Sequence, residues 1–192
     1  MKLSIVLPAK NESAAIGQTI AKIQQLQLAY EVIVVNDGST DQTKQVAETA
    51  GAKVVTHPYS KGNGAAIKTG ARTVTGDIIV FMDADGQHDP QDIPRLIEKI
   101  EQGYDLVVGA RQKGSQASVS RGIANTLYNN LATYMTEQKV EDLTSGFRAV
   151  RADKFREFLY LLPNGFSYPT TSTMAFFRAG YSVAYVPIHT AK

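Results

Sequence analysis

The sequence predicts an α/β fold, a mostly parallel central sheet with helices on both faces. Three observations carry that prediction. Apolar runs of strand length alternate with stretches of helical spacing as far as residue 110. The runs are apolar throughout rather than alternating, as strands buried on both faces are. Polar clusters follow the runs directly, and an open parallel sheet binds its ligands beyond the carboxyl ends of its strands.

The strands expected are Leu3 to Leu7, Glu31 to Asn36, Lys53 to Thr56, Asp77 to Met82 and Asp105 to Gly109. Between them, Ile16, Ile20 and Ile23 with Leu26, and Ile93, Leu96 and Ile97 with Ile100, repeat at helical spacing. Helices are therefore expected over Thr19 to Leu28 and Pro90 to Gln102, the second closed by Gly103. Beyond residue 110 the alternation stops. A polar stretch, Gln112 to Ser120, leads to a helical pattern over Gly122 to Thr136, then VEDLTSGFRAV, a short helix near Asp153 to Leu161, LLPNGFSYPTT, and a strand-like run from Val183 to Ile188. With no linker-like segment, 1–192 is expected to be one domain. Residues 1–110 and 111–192 are expected to be its two halves. Only four residues follow Ile188; a domain can end there or run on into a further segment.

Composition narrows the function classes. A net charge of +2 is too small to imply a nucleic-acid partner. No cysteine is present, which removes disulfides, thiolate metal sites and a cysteine nucleophile. The opening apolar run breaks at Pro8, too early for a signal segment. No run approaches the ~18 apolar residues of a membrane helix.

The stretch FMDADGQHDP places Asp83, Asp85 and Asp89 within seven residues at a strand end. Asp89 before Pro90 reads as a helix N-cap. Asp83 and Asp85 point to one side of an extended chain, which is costly without a cation between them. A calcium loop does not fit, because Pro94 stands where its closing glutamate belongs. Oxygen ligands favour Mg²⁺ or Mn²⁺, held by one or two carboxylates plus substrate phosphates. Lys61-Gly62-Asn63-Gly64-Ala65-Ala66 opens a helix whose N–H groups either meet an anion or serve tight packing. Ile67 breaks its match to the dinucleotide pattern. In Asn36-Asp37-Gly38-Ser39-Thr40-Asp41, Ser39 and Gln42 suit a capping box, leaving Asp37 free to accept hydrogen bonds from a base or ribose.

Together, VLPAKNE, VVNDGSTDQT, HPYSKGNGAA, MDADGQHDP and LTSGFRAV resemble, in order and spacing, the family 2 glycosyltransferases of GT-A fold. Within them the chain is most similar to the dolichyl-phosphate mannose synthase and polyprenyl-phosphate sugar synthase group. The resemblance implies that Pro8, Ala9, Glu12 and Asp37 line the nucleotide pocket, and Asp83, Ala84, Asp85 and Gln87 the diphosphate–metal site. Asp85 is then the main metal ligand, with Asp83 and Gln87 assisting. Lys10 replaces an aromatic residue often found there, which leaves the base unassigned. Arg111, Arg121 and Arg148 fall where the group carries basic residues for a lipid phosphate, and Asp142 where it orients the arginine and substrate.

The implied activity is metal-dependent, inverting transfer of a sugar from a nucleotide-sugar (GDP-mannose or a UDP-sugar) to a polyprenyl phosphate. It places the chain in the cytoplasm, peripheral at the inner face of the membrane. Transfer to a saccharide hydroxyl, with a carboxylate such as Asp142 or Glu141 as base, is the alternative. A sugar-nucleotide-binding module without activity is another.

Overall fold

A computed structural model describes residues 1–28, 31–111, 129–130, 133–134 and 139–188. Seven strands form one sheet: β1 (Leu3–Ala9), β2 (Glu31–Asn36), β3 (Lys53–Thr56), β4 (Ile78–Phe81), β5 (Leu106–Arg111), β6 (Arg148–Arg151) and β7 (Val183–Ile188). Their order is β3-β2-β1-β4-β6-β5-β7, and all pairings are parallel except those of β6 with β4 and β5. The helices are α1 (Ile16–Gln25), α2 (Thr43–Thr49), α3 (Asn63–Thr73), α4 (Ile93–Glu101), α5 (Ala152–Arg156) and α6 (Tyr168–Arg178).

Apolar residues on both faces of the strands require two helical layers, and both are present. Ile5, Leu7, Val34 and Val80 join Ile16, Ile20, Leu96 and Ile100 in one core. Their neighbours Val6, Ile33, Ile79 and Phe81 turn the other way, as a period of two demands. They meet Ala66, Ile67, Phe155 and Phe176. The fold class and the five expected strands through residue 110 are confirmed.

Two elements differ from expectation. Arg148-Ala149-Val150-Arg151 is a central strand, with Arg148 opposite both Phe81 and Val108. Its flanking arginines disguise four residues as surface. Tyr168–Arg178 is a helix although its threonines have weak helical preference; burial of Ser172, Thr173 and Phe176 decides it. Of the helix expected over 122–136, only Asn129, Asn130, Thr133 and Tyr134 are described, and these are helical. Asn129 donates to the Glu141 carbonyl at 2.7 Å and accepts from the Leu143 N–H at 3.1 Å. Its polar groups thus hold the 141–143 segment.

Because β6 runs against its neighbours, its first residue lies at the edge where the other strands end. That edge collects the candidate site.

Candidate active site

The loops after β1 and β2 are stitched together. Asn11 adopts φ 58°, a left-handed conformation that asparagine tolerates better than most residues. Its Oδ1 accepts from the Thr40 N–H at 2.9 Å, and its own N–H donates to Ser39 Oγ at 3.0 Å. The Glu12 N–H reaches Thr43 Oγ1 at 2.8 Å. Ser39 therefore serves Asn11 and forms no box with Gln42. The start of α2 is held by Asp41, whose Oδ1 accepts from the Thr43 N–H at 3.0 Å. Asp89 does cap, accepting from the Gln91 N–H at 3.0 Å.

Asp37 is buried, at 4% exposure. Its Oδ1 takes His57 Nδ1 at 2.7 Å and the Lys61 N–H at 2.8 Å; its Oδ2 takes Ser60 Oγ at 2.8 Å and the Gly62 N–H at 2.9 Å. His57 Nε2 continues to Thr69 Oγ1 at 2.9 Å. Burial alone would raise the Asp37 pKa, but these hydrogen bonds hold it below the ordinary value. Gly38, at φ 65°, makes the approach possible, because a Cβ there would stand 2.5 Å from the Ser60 nitrogen. Both oxygens expected to meet a base or ribose are thus engaged in anchoring the loop 57–62.

A cavity of about 730 Å³ opens at this edge, within the usual range of roughly 300–1,000 Å³ for small-molecule sites. Pro8, Ala9, Lys10, Glu12, Asp37, Asp83, Ala84, Asp85 and Arg111 line it. The Asp83 side chain is 40% exposed. The protein around the cavity still strips enough solvent from its carboxylate to raise the pKa; nearby His88 draws it down, and the Asp85 charge raises it again. Glu12 is likewise raised by burial and then by Asp85, Asp41 and Asp83. Crowded carboxylates with no cation between them suit a divalent ion. Among the described residues no cluster of three or more His, Cys, Asp or Glu is arranged to hold a metal. An ion held by Asp83 and Asp85 would thus need further oxygens from a substrate. Gln87 is exposed, and its backbone N–H donates to Asp85 Oδ1 at 3.0 Å. His88 is buried against Phe147, and its Nδ1 stands 3.8 Å from Asp83 Oδ2 without a hydrogen bond.

Arg111 and Asp142 form a two-pronged pair, Nε to Oδ2 at 2.8 Å and Nη2 to Oδ1 at 2.9 Å. Arg111 Nη2 also donates to Thr144 Oγ1 at 2.6 Å, leaving Nη1 unpartnered among the described residues. Burial would raise the Asp142 pKa, yet the Arg111 hydrogen bonds and charge hold it low. Arg148 corrects the sequence reading. It is 0% exposed and is not among the residues that line the cavity. Its guanidinium donates to the carbonyls of Ser145 and Pro169 and to Ser172 Oγ and Thr173 Oγ1. Its donors are spent on neutral groups inside the protein, so it cannot reach an acceptor phosphate. Asp142 accordingly orients Arg111, not Arg148. Arg121 lies outside the described residues.

Two N–H groups in the first turn of α3 are also taken by packing. The Gly64 N–H donates to the Gly165 carbonyl at 3.1 Å and the Ala65 N–H to the Asn164 carbonyl at 3.2 Å. Lys68 Nζ adds bonds to the Leu162 carbonyl at 2.9 Å and Asn164 Oδ1 at 2.7 Å. A Cβ on Gly64 would collide with the Pro163 carbonyl oxygen. Of the two readings of this glycine-rich stretch, tight packing is the one realised. Thr144, Gly146, Phe166, Tyr168 and Pro169 also line the cavity and were missed as wall residues. Only the pairing of SGFR with the DAD strand signals their place.

The glycosyl transferase family 2 pattern matches residues 4–159. An undecaprenyl-phosphate 4-deoxy-4-formamido-L-arabinose transferase of Photorhabdus laumondii is 36% identical over 160 residues, 78% of this chain and 49% of that protein. The corresponding Sodalis glossinidius protein is 38% identical over 160 residues, with the same coverage. The chain spans about half the length of these curated relatives. Among solved structures, glucosyl-3-phosphoglycerate synthase from Mycobacterium tuberculosis with phosphoglyceric acid matches at a TM-score of 0.81 and 31% identity, covering 99% of this chain and 71% of that one. The same enzyme with Mg²⁺ and uridine diphosphate matches at 0.79 and 30%, covering 99% and 70%. The polar edge, the paired carboxylates and these likenesses agree, and the chain belongs to glycosyl transferase family 2.

Proposed function

We propose that this protein transfers a sugar from a nucleotide-sugar to the phosphate of a polyprenyl phosphate, with Mg²⁺ or Mn²⁺ and inversion at the anomeric carbon. The observation that carries the reading is Arg111, a cation on the cavity wall whose Nη1 faces no partner among the described residues. Arginine suits phosphate oxygens, and the Asp142 clamp fixes its orientation. The likeness to undecaprenyl-phosphate transferases supports the same acceptor.

Residues 1–110 supply the donor side of the cavity and 111–192 the acceptor side. Asp83 and Asp85 would hold the divalent ion, which on binding neutralises the charge of the departing diphosphate. Arg111 would hold the acceptor phosphate on the opposite side of the sugar. Its anionic oxygen forms the bond to the anomeric carbon, and the bond to the diphosphate oxygen breaks with its electron pair. An oxygen already ionised needs no general base. Asp142, locked onto Arg111 with a lowered pKa, is poorly suited to be one, which disfavours a saccharide hydroxyl as acceptor. A lipid acceptor brings the chain to a membrane surface as a peripheral partner. Among the described residues no helix is long and apolar enough to cross a membrane.

The test offers labelled UDP- and GDP-sugars with Mn²⁺ to undecaprenyl phosphate in detergent, and separately to 3-phosphoglycerate. Label in the lipid fraction, lost in Arg111→Ala, is expected. Transfer only to phosphoglycerate would keep the phosphate-binding arginine but replace the lipid acceptor.

A further inference from the structure

We infer that Phe166 packs against the transferred sugar of the donor and helps select it, an inference that rests on the nucleotide-sugar reading above. Phe166 lines the cavity and is 84% exposed. A large apolar ring left in water at the mouth of a polar cavity is a surface awaiting a partner.

Its place is fixed from both sides. Gly165, immediately before it, accepts from the Gly64 N–H at 3.1 Å, and Asn164 accepts from the Ala65 N–H at 3.2 Å. Two residues later the Tyr168 hydroxyl donates to the Gly146 carbonyl at 3.1 Å. A Cβ on Gly146 would stand 3.1 Å from Asp83 Oδ2, so this contact abuts the carboxylates. The segment that carries the ring is thus held between the first turn of α3 and the Asp83 side of the site. Its support is hydrogen-bonded backbone, which limits the entropy lost when a ligand covers it.

The transferred sugar must lie between the diphosphate at Asp83 and Asp85 and the acceptor phosphate at Arg111, because its anomeric carbon exchanges one for the other. Gly146, Tyr168 and hence Phe166 border that interval. A pyranose ring presents a face of C–H groups, which an aromatic face buries without leaving a polar group unpaired. A sugar with an axial hydroxyl on that face fits less well, and this is the basis for selection.

The chain contains no tryptophan, so Phe166→Trp introduces a single reporter. With Mn²⁺ present, its emission is expected to shift on adding whichever of UDP-glucose, UDP-galactose, UDP-N-acetylglucosamine or GDP-mannose binds most tightly. The matching diphosphate is expected to leave it nearly unchanged. In calorimetry, Phe166→Ala should weaken that nucleotide-sugar by about 10-fold while altering the diphosphate less than about 2-fold. Equal responses to diphosphate and nucleotide-sugar would overturn the inference in favour of a nucleoside contact. A shift only with phosphatidylglycerol vesicles would overturn it in favour of a lipid contact, and unchanged affinities in Phe166→Ala would overturn it outright. If the wild type binds neither UDP nor GDP, the donor reading fails first and this inference falls with it.

Discussion

Arg111 and Arg148 leave the same edge of the sheet, yet their surroundings give them different work. Arg111 has a carboxylate clamp and, among the described residues, an unpartnered Nη1; Arg148 is buried among neutral acceptors. Arg111→Ala should therefore leave nucleoside diphosphate binding within about 2-fold and lower lipid transfer by on the order of 100-fold, as expected when one partner of a charged contact is removed. Arg148→Met should act on stability instead. It leaves the Ser145 carbonyl without a donor inside the core, while the Pro169 carbonyl keeps the Ser172 and Thr173 hydroxyls, and should cost about 1–3 kcal/mol in urea denaturation. The carboxylate motif was legible in the sequence because it follows a recognisable strand, and Arg111 through the family resemblance. Arg148 was not, since its partners Pro169, Ser172 and Thr173 lie more than twenty residues away on a helix that periodicity does not reveal.

At the scale of elements, the site depends on two backbone clamps, Asp37 on the loop 57–62 and the 162–165 segment on α3. Asp37→Ala removes four hydrogen bonds from that loop. Amide exchange at Lys61 and Gly62 should then accelerate, while strands β1 and β4 keep their protection. Gly64→Val should push away the 162–165 segment at a cost of about 1–3 kcal/mol, read as a lowered denaturation midpoint. The strands through β5 were legible because each is a continuous apolar run. Strand β6 and helix α6 were not, because tertiary burial overrides their local composition.

Across the whole molecule, Asp37, Asp105 and Asp142 are buried carboxylates with lowered pKa values. In each, burial pushes up and is outweighed by hydrogen bonds, from His57, Lys154 and Arg111 first. A depressed acid binds fewer protons folded than unfolded near its titration, so stability rises with pH there. Their contribution should be fully present above the ordinary carboxylate pKa, near 3.8, and be lost as pH falls through the lower folded values. Urea denaturation from pH 7 to pH 2 should show a plateau followed by a decline below about pH 4. The α/β architecture and the binding edge were readable from the sequence at this scale. The cavity's far wall was not, because it is assembled from Thr144, Gly146 and the 166–169 segment across the sheet.

The central claim is that Asp83 and Asp85 bind a nucleoside diphosphate through a divalent ion. Calorimetric titration of UDP and GDP, with a CMP control, tests it most directly. Each nucleotide is measured with Mn²⁺ and with EDTA, on the wild type and on Asp85→Asn. One diphosphate is expected to bind with Mn²⁺ only, and Asp85→Asn to abolish this binding while its melting temperature is retained. Binding that is indifferent to EDTA or to Asp85→Asn, or no diphosphate binding at all, would contradict it.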